Sequence, residues 1–237
     1  MKRFIVGDIH GAYKALRDVL EKANFNEQED TLYAVGDYVD GWPESAEVIR
    51  YLKGLPHFKG VLGNHDDWAA NWLAGRRAER IWTSQGGQAT INSYMSITEE
   101  EKREHSIFLS LLPTFIQEDD LFVCHGGTIS LEYLRDMPSY AVDPWDLIWD
   151  RMLFMDVVRA RKNSKDISIS PYRNVFVGHT TTSQIQPDLT PFHYQGFWNI
   201  DQGAGWEGKL TVVDIDTDEW WQSELSSSYY PNVKGRG

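Results

Sequence analysis

The sequence predicts an α/β protein in which two mixed β-sheets pack face to face as a sandwich flanked by helices. Three observations carry this. Strand-length apolar runs alternate with amphipathic helical stretches in the first third of the chain. Further strand-length runs return after a more polar, helical middle. Several of these runs stop at a glycine beside Asp, Asn or His. At 237 residues, 41% of them hydrophobic, the chain is long enough to bury one large core. No linker or low-complexity tract divides it, so residues 1–237 read as one domain.

RFIVG reads as a short buried strand, and Ala12 to Phe25 then places Leu16, Val19, Leu20 and Ala23 at helical spacing. TLYAV (Thr31 to Val35) repeats the pattern, followed by a loop, GDYVDGW, and a helix over Ser45 to Leu55 with Pro43 near its start. FKGVLG (Phe58 to Gly63) leads into NHDDWAANWLAG. Thr98 to Leu112 carries a helix-start signal and outward charge. Strands are then expected at Asp120 to Cys124, Asn174 to Gly178, Phe197 to Asp201 and Lys209 to Asp216, and the tail SSSYYPNVKGRG reads as frayed.

Thirty-five acidic against 23 basic residues give a net charge of -12, which argues against a duplex nucleic acid or an anionic membrane as partner. No run approaches the roughly 20 apolar residues of a membrane span, and MKRFIVGDIHG meets a polar motif before a signal-peptide apolar region can form, so a cytoplasmic protein is expected. The single cysteine, Cys124, agrees with a reducing compartment and is given no role beyond strand packing.

Five loops share one inventory: GDIHG (Gly7 to Gly11), GDYVDG (Gly36 to Gly41), GNHD (Gly63 to Asp66), HGG (His125 to Gly127) and GHT (Gly178 to Thr180). One Gly-Asp after a strand is more often a turn with an Asx hydrogen bond than a ligand site. Five such turns have little reason to select the same residues. In α/β sheets ligand sites gather outside the carboxyl ends of strands, so the five loops are expected to converge on one cleft. Carboxylates, an amide and imidazoles together suit Mn, Fe, Zn or Mg better than a sulfur-bound structural zinc.

In this order the loops resemble the phosphoprotein phosphatase branch of the calcineurin-like metallophosphoesterases, whose motifs read GDxHG, GDxVDRG, GNHE, HGG and GH. The likeness runs from about Arg3 to Asp214, and is strongest to bacterial and phage serine/threonine phosphatases and to symmetrical dinucleoside tetraphosphatases. LIWDRML (Leu147 to Leu153) resembles the tryptophan-arginine helix of the bacterial and phage members, and NIDQGAGWEGKLT their closing strand pair. WTSQGGQATINSY carries a glycine pair that recurs in the same group.

The resemblance implies two divalent cations per chain, Mn²⁺ as first choice, with Fe, Zn, Mg and Co able to share the ligands. Asp8 and His10 would hold one cation, Asn64, His125 and His179 the other, and Asp37 would bridge them across about 3.5–4 Å. Asp40 would orient His65 as the acid that protonates the leaving oxygen, and Arg151 would neutralise phosphoryl charge. Hydrolysis would proceed by direct attack of a hydroxide bridging the cations, without a phosphoenzyme.

Two departures bear on substrate. Gly41 and Trp42 stand where the motif has Arg-Gly, and Leu62 stands where an arginine commonly precedes GNH. Each charge-assisted contact to phosphate is worth about 1.5–3 kcal/mol, so losing two weakens the hold on a terminal dianion, and Gly41→Arg is expected to raise activity on a monoester. Leu62 matches the tetraphosphatases, although their long insertion before the last histidine is lacking. Ten tryptophans, with Trp42, Trp68 and Trp72 in or after the loops, offer faces for a base or simply pack. The leading expectation is a phosphomonoesterase of serine/threonine protein phosphatase type. The alternative is a hydrolase of dinucleoside polyphosphates or phosphodiesters, including cyclic nucleotides. A phosphorylated protein or a nucleotide is therefore the expected partner. A non-catalytic binding module is disfavoured, because every ligand position is filled.

Overall fold

A computed structural model of the chain describes residues 1–128 and 143–236. In chain order, β1 (Arg3–Val6), α1 (Tyr13–Lys22), β2 (Thr31–Ala34), α2 (Ser45–Gly54), β3 (Phe58–Gly60) and α3 (Asn64–Leu73) realise the alternating pattern of the N-terminal third. The short α4 (Arg80–Trp82), a kinked turn through Gly86 and α5 (Gln88–Ser93) lead to α6 (Glu99–Ser110), which starts where the Thr98 hydroxyl accepts the Glu101 N–H. Then come β4 (Phe115–Gln117), β5 (Leu121–Cys124), α7 (Pro144–Trp149), α8 (Met152–Lys162), β6 (Asn174–Val177), β7 (Phe192–Tyr194) and β8 (Phe197–Asn199). The chain continues through β9 (Asp201–Gln202), β10 (Lys209–Asp214), β11 (Trp220–Gln222) and α9 (Ser226–Tyr229).

One sheet runs β11-β10-β1-β2-β3, with β9 paired to the start of β10. The other runs β4-β5-β6-β8-β7. In the first, β1, β2 and β3 are parallel and β10 is antiparallel to β1. In the second, β5, β6 and β8 are parallel, with antiparallel edges. Both sheets are mixed, as the sequence predicts.

Strand alternation explains the layering. Phe4, Val6, Leu32, Ala34, Leu210 and Val212 face α1, α2 and neighbouring helices. Ile5, Tyr33, Val35 and Val213 meet Leu121, Val123, Phe176 and Trp198 of the other sheet. Phe122, Cys124, Val175, Val177 and Phe197 face outward onto Phe154 and Val157 of α8. A period of two therefore gives each central strand two buried faces, so these strands read as continuous apolar runs. Cys124 is one of those packed residues, and burial pushes its thiol up.

Two expectations are corrected. The stretch LIWDRML is two helices, because the Asp150 carboxylate accepts the Met152 N–H at 2.5 Å and starts α8 afresh, leaving Arg151 at the break. The tail is docked through Arg236. Tyr230 is buried and stacks on Trp42 at 5.0 Å, its hydroxyl bonds Glu44, and the Arg236 N–H donates to the Gly205 carbonyl at 2.7 Å. Trp42, standing where the motif has glycine, supplies the ring that holds it.

Candidate metal centre

Each strand-end loop delivers its polar side chains to the same place. Asp8 and His10 follow β1, Asp37 and Asp40 follow β2, and Asn64 and His65 open α3 after β3. From the second sheet, His125 follows β5 and His179 follows β6. All are buried except His179, which is partly exposed. His10, Asp37, Asp40 and His179 lie in the left-handed backbone region, with φ of 49°, 54°, 75° and 65°. That region costs most side chains energy, and its concentration here marks loops bent to aim side chains inward. Gly178 and Gly63 allow the close approach: a Cβ would stand 2.0 Å from Asp8 Oδ1 at the first and 2.2 Å from Asp37 Oδ1 at the second.

Asp8, His10 and Asp37 place ligand atoms within 4.8 Å of one another, and so do Asp37, His125 and His179. Asp37 belongs to both groups. Its Oδ2 lies 3.5 Å from His10 Nε2 and 3.3 Å from His125 Nε2, and Asn64 Oδ1 lies 3.0 Å from the latter. His10 Nδ1 donates to the Val39 carbonyl at 3.0 Å and His125 Nδ1 to that of Val35 at 2.8 Å, so each presents Nε2 to the centre. The His179 Nε2 proton goes to the Trp149 carbonyl at 3.1 Å, which leaves Nδ1 as the nitrogen able to accept. All six expected ligand residues are thus brought together.

The electrostatics call for cations. Burial, with Asp201 and Asp37 nearby, pushes the Asp8 carboxyl well up, and its Oδ1 is buried without a hydrogen-bond partner. Burial opposes ionisation of Asp37 too, but the His125 and His65 rings hold it well down. For His125 burial works against the charged ring, and the Asp37 charge outweighs it, carrying the pKa up to about 9. Burial and the charge of Arg236 push His10 well down, and burial with His125 and Arg151 does the same to His179. An unpartnered carboxylate oxygen among carboxylates and metal-competent imidazoles fits two divalent ions.

His65 sits beside this cluster. Its Nδ1 bonds Asp40 Oδ2 at 2.6 Å, its backbone N–H donates to Asp37 Oδ1 at 3.0 Å, and its ring stands edge-on to His10 and Trp68. Asp40 is itself fixed: Trp82 Nε1 donates to Oδ2 at 2.7 Å and Thr90 Oγ1 to Oδ1 at 2.6 Å. The pair holds the imidazole in one orientation through Nδ1.

A family model described as calcineurin-like phosphoesterase matches residues 1–188. The chain belongs to the calcineurin-like phosphoesterases. The family is one of metallophosphoesterases, and divalent metal ions are its cofactor. Among curated relatives, the symmetrical bis(5'-nucleosyl)-tetraphosphatase of Vibrio campbellii is 34% identical over 128 residues, 54% of this chain and 45% of that protein. That of Photorhabdus laumondii is 49% identical over 67 residues, 28% of this chain and 24% of its own. The chain therefore matches less than half the length of these relatives. Among solved structures, one provisionally named a diadenosine tetraphosphatase superposes with a TM-score of 0.64 at 21% identity, covering 93% of this chain and 92% of that one. A protein serine/threonine phosphatase from Saccharomyces cerevisiae gives 0.59 at 16% identity, covering 99% and 82%. These two likenesses are of fold.

The remaining features of this phosphoesterase depart from the expectations in instructive ways. Trp42 is wholly buried, with Nε1 donating to the Ala204 carbonyl at 2.6 Å, and Trp72 packs against Trp82 and Tyr94. Trp42 has no free face, and Trp72 is half-buried among other rings. Trp68 instead meets Trp149 at 5.0 Å, and Trp149 stacks on the exposed Trp145 at 5.1 Å. Arg151, at the helix break, donates to the Trp149 carbonyl at 3.3 Å. Burial and the charge of Arg236 lower its pKa.

Sequence reasoning missed Asp66, Asp201, Trp149 and Arg236. Asp66 accepts the N–H groups of Asp37, Tyr38 and Gly63 at 2.7, 2.8 and 3.0 Å, tying two ligand loops together. Its place beside His65, where the motif has Glu, was the available signal. Asp201 Oδ1 accepts the Gly203 N–H at 2.9 Å and turns the chain below the cluster.

Proposed function

We propose that this phosphoesterase hydrolyses nucleotide substrates, dinucleoside polyphosphates foremost, at a two-metal centre formed by Asp8, His10, Asp37, Asn64, His125 and His179. The observation that carries the choice of substrate is the tryptophan ladder. It runs from exposed Trp145 through Trp149, whose ring also contacts His179, to Trp68 and His65. An aromatic face that starts in solvent and ends at the catalytic histidine suits a flat base whose phosphates reach the centre. The tetraphosphatase names of the relatives at 34% and 49% identity support the same reading. The protein-phosphatase reading that the motif order favoured therefore gives way to its alternative.

Cations bound at the centre supply Lewis-acid charge to the phosphoryl oxygens. The chain supplies the rest. His65, oriented by Asp40, hands a proton to the leaving oxygen, and Arg151 neutralises phosphoryl charge by a bidentate contact.

The test is kcat/KM for the Mn²⁺-reconstituted protein on diadenosine tetraphosphate, bis-p-nitrophenyl phosphate, p-nitrophenyl phosphate and a phosphoserine peptide. We expect the dinucleotide to lead, and Trp145→Ala to raise its KM by roughly 5- to 100-fold, the worth of one stacked base. p-Nitrophenyl phosphate, which has no base, should be unaffected. A leading phosphoserine peptide, or a Trp145→Ala variant with unchanged KM for the dinucleotide, rejects the proposal.

A further inference from the structure

Arg236 reaches the metal centre from the other end of the chain. Its Nη1 donates to His10 Nε2 at 3.1 Å, across 226 residues of sequence. Its Nε is buried and has no hydrogen-bond partner, and its guanidinium lies over the Trp206 ring at 5.2 Å. Among the described residues no carboxylate forms an ion pair with it.

Three glycines make its channel. A Cβ at Gly41 would stand 3.0 Å from Arg236 Cγ, one at Gly86 2.9 Å from the same atom, and one at Gly205 3.1 Å from its Cδ. Gly41 and Gly86 also carry φ of 85° and 104°, which other side chains rarely adopt. So the position where the family motif has an arginine is empty of side chain, and the space in front of it is crossed by an arginine from elsewhere.

We propose that Arg236 binds a phosphoryl oxygen of the substrate, the C-terminal segment thereby supplying a cation that the second loop lacks. This rests on the phosphoester-hydrolase reading above. His10 Nε2 is a ligand atom, so the acceptor that Arg236 uses here is the one a cation takes. The guanidinium is then left beside the centre with no ion pair among the described residues, within reach of the Asp201 charge and of the like charge of Arg151. A phosphoryl group between two guanidinium forks satisfies both, since the fork matches phosphate geometry. A half-buried cation with an unpartnered, buried Nε, held in a glycine channel instead of an ion pair, suits an anion that comes and goes.

The experiment uses the full chain loaded with Mn²⁺, metal counted by mass spectrometry, and inorganic phosphate titrated by calorimetry. Arg236→Ala should weaken phosphate binding by roughly 10- to 100-fold, the range for a charge-assisted hydrogen bond, with two metals per chain retained. Arg236→Lys, which keeps the charge without the fork, should recover part of it, and Lys234→Ala on the exposed neighbour should leave it unchanged. Phosphate affinity within twofold of wild type in Arg236→Ala overturns the proposal. So does loss of metal in both Arg236 variants, which would make the residue a brace for the His10 loop. Turnover of diadenosine tetraphosphate in the same samples separates the two readings. A wild-type protein that hydrolyses no phosphoester, yet binds phosphate through Arg236, sinks the proposed function and leaves this inference standing.

Discussion

Asp66 offers the sharpest test of how the site is assembled. Truncating it in Asp66→Ala leaves the N–H groups of Asp37, Tyr38 and Gly63 without their acceptor in a buried place. Each orphaned donor costs about 1–3 kcal/mol, or about 3–9 kcal/mol for three. Against this, burial and the charge of Asp37 push the Asp66 carboxyl up to about 8, so holding it there is itself unfavourable and its removal gives some energy back. The net expectation is the lower end, about 3 kcal/mol, taken from a total stability of about 5–15 kcal/mol. Urea unfolding followed by tryptophan fluorescence measures it, and the variant should stay folded while losing at least tenfold in turnover as Asp37 shifts. Asp66→Glu, the residue of the family motif, should retain most of both. A stability change below about 1 kcal/mol in Asp66→Ala would show that water replaces the carboxylate without penalty and that the two loops are held by other means.

Other outcomes follow from the same geometry. Asp37→Asn and His125→Ala should each lower turnover by at least about 100-fold and bring bound metal below two per chain while the domain stays folded; wild-type turnover at two metals would overturn the ligand assignment. Burial holds the His105 imidazole down at about 4 from an ordinary 6.5, with Tyr94 at 2.8 Å from Nδ1 and Glu101, Glu104, Arg50 and Lys53 around it. The unfolded chain therefore takes the proton first: this contribution is complete above about pH 6.5 and is lost as the pH falls towards about 4. Between pH 7 and 5 the loss is about 2 kcal/mol, and His105→Gln should remove that part of the pH dependence; an unchanged slope in the variant would refute it. Gly41→Arg, expected from sequence to raise monoesterase activity, should lower it, because φ is 85° and a Cβ meets Arg236 Cγ at 3.0 Å and the Gly205 carbonyl at 3.1 Å. Increased kcat/KM on p-nitrophenyl phosphate would restore the original expectation.

The clustering of the proposed metal ligands was legible because their signal is local: each is within three or four residues of the strand end that positions it, and glycine marks the bend. The central strands were legible for a related reason, since burial on both faces leaves an unbroken apolar run. What was lost is non-local or short. FIQ, FHY and WWQ are three-residue edge strands, too short for any alternation to set them off. Arg151 was foreseen in a helix, but α7 stops at Trp149 and the Asp150 hydrogen bond to the Met152 N–H starts the next helix just after it. Arg236 could not be placed because its partner His10 is at the opposite end of the sequence, and a lone arginine in a polar tail resembles any other. The same distance hid the ladder, where Trp68 and Trp149 come from different halves of the chain.

The six proposed ligands are divided between the two sheets, Asp8, His10, Asp37 and Asn64 on one and His125 and His179 on the other. Any cation shared between Asp37 and His125 is therefore a rivet through the sandwich as well as a reagent. Its binding energy is drawn on only while the sheets stay in register, so metal in excess adds stability in proportion to the logarithm of its concentration over its dissociation constant. For this fold, a chelator is also a denaturant: stripping the centre should speed amide exchange along β5 and β6, in the sheet that shares the metal with Asp37.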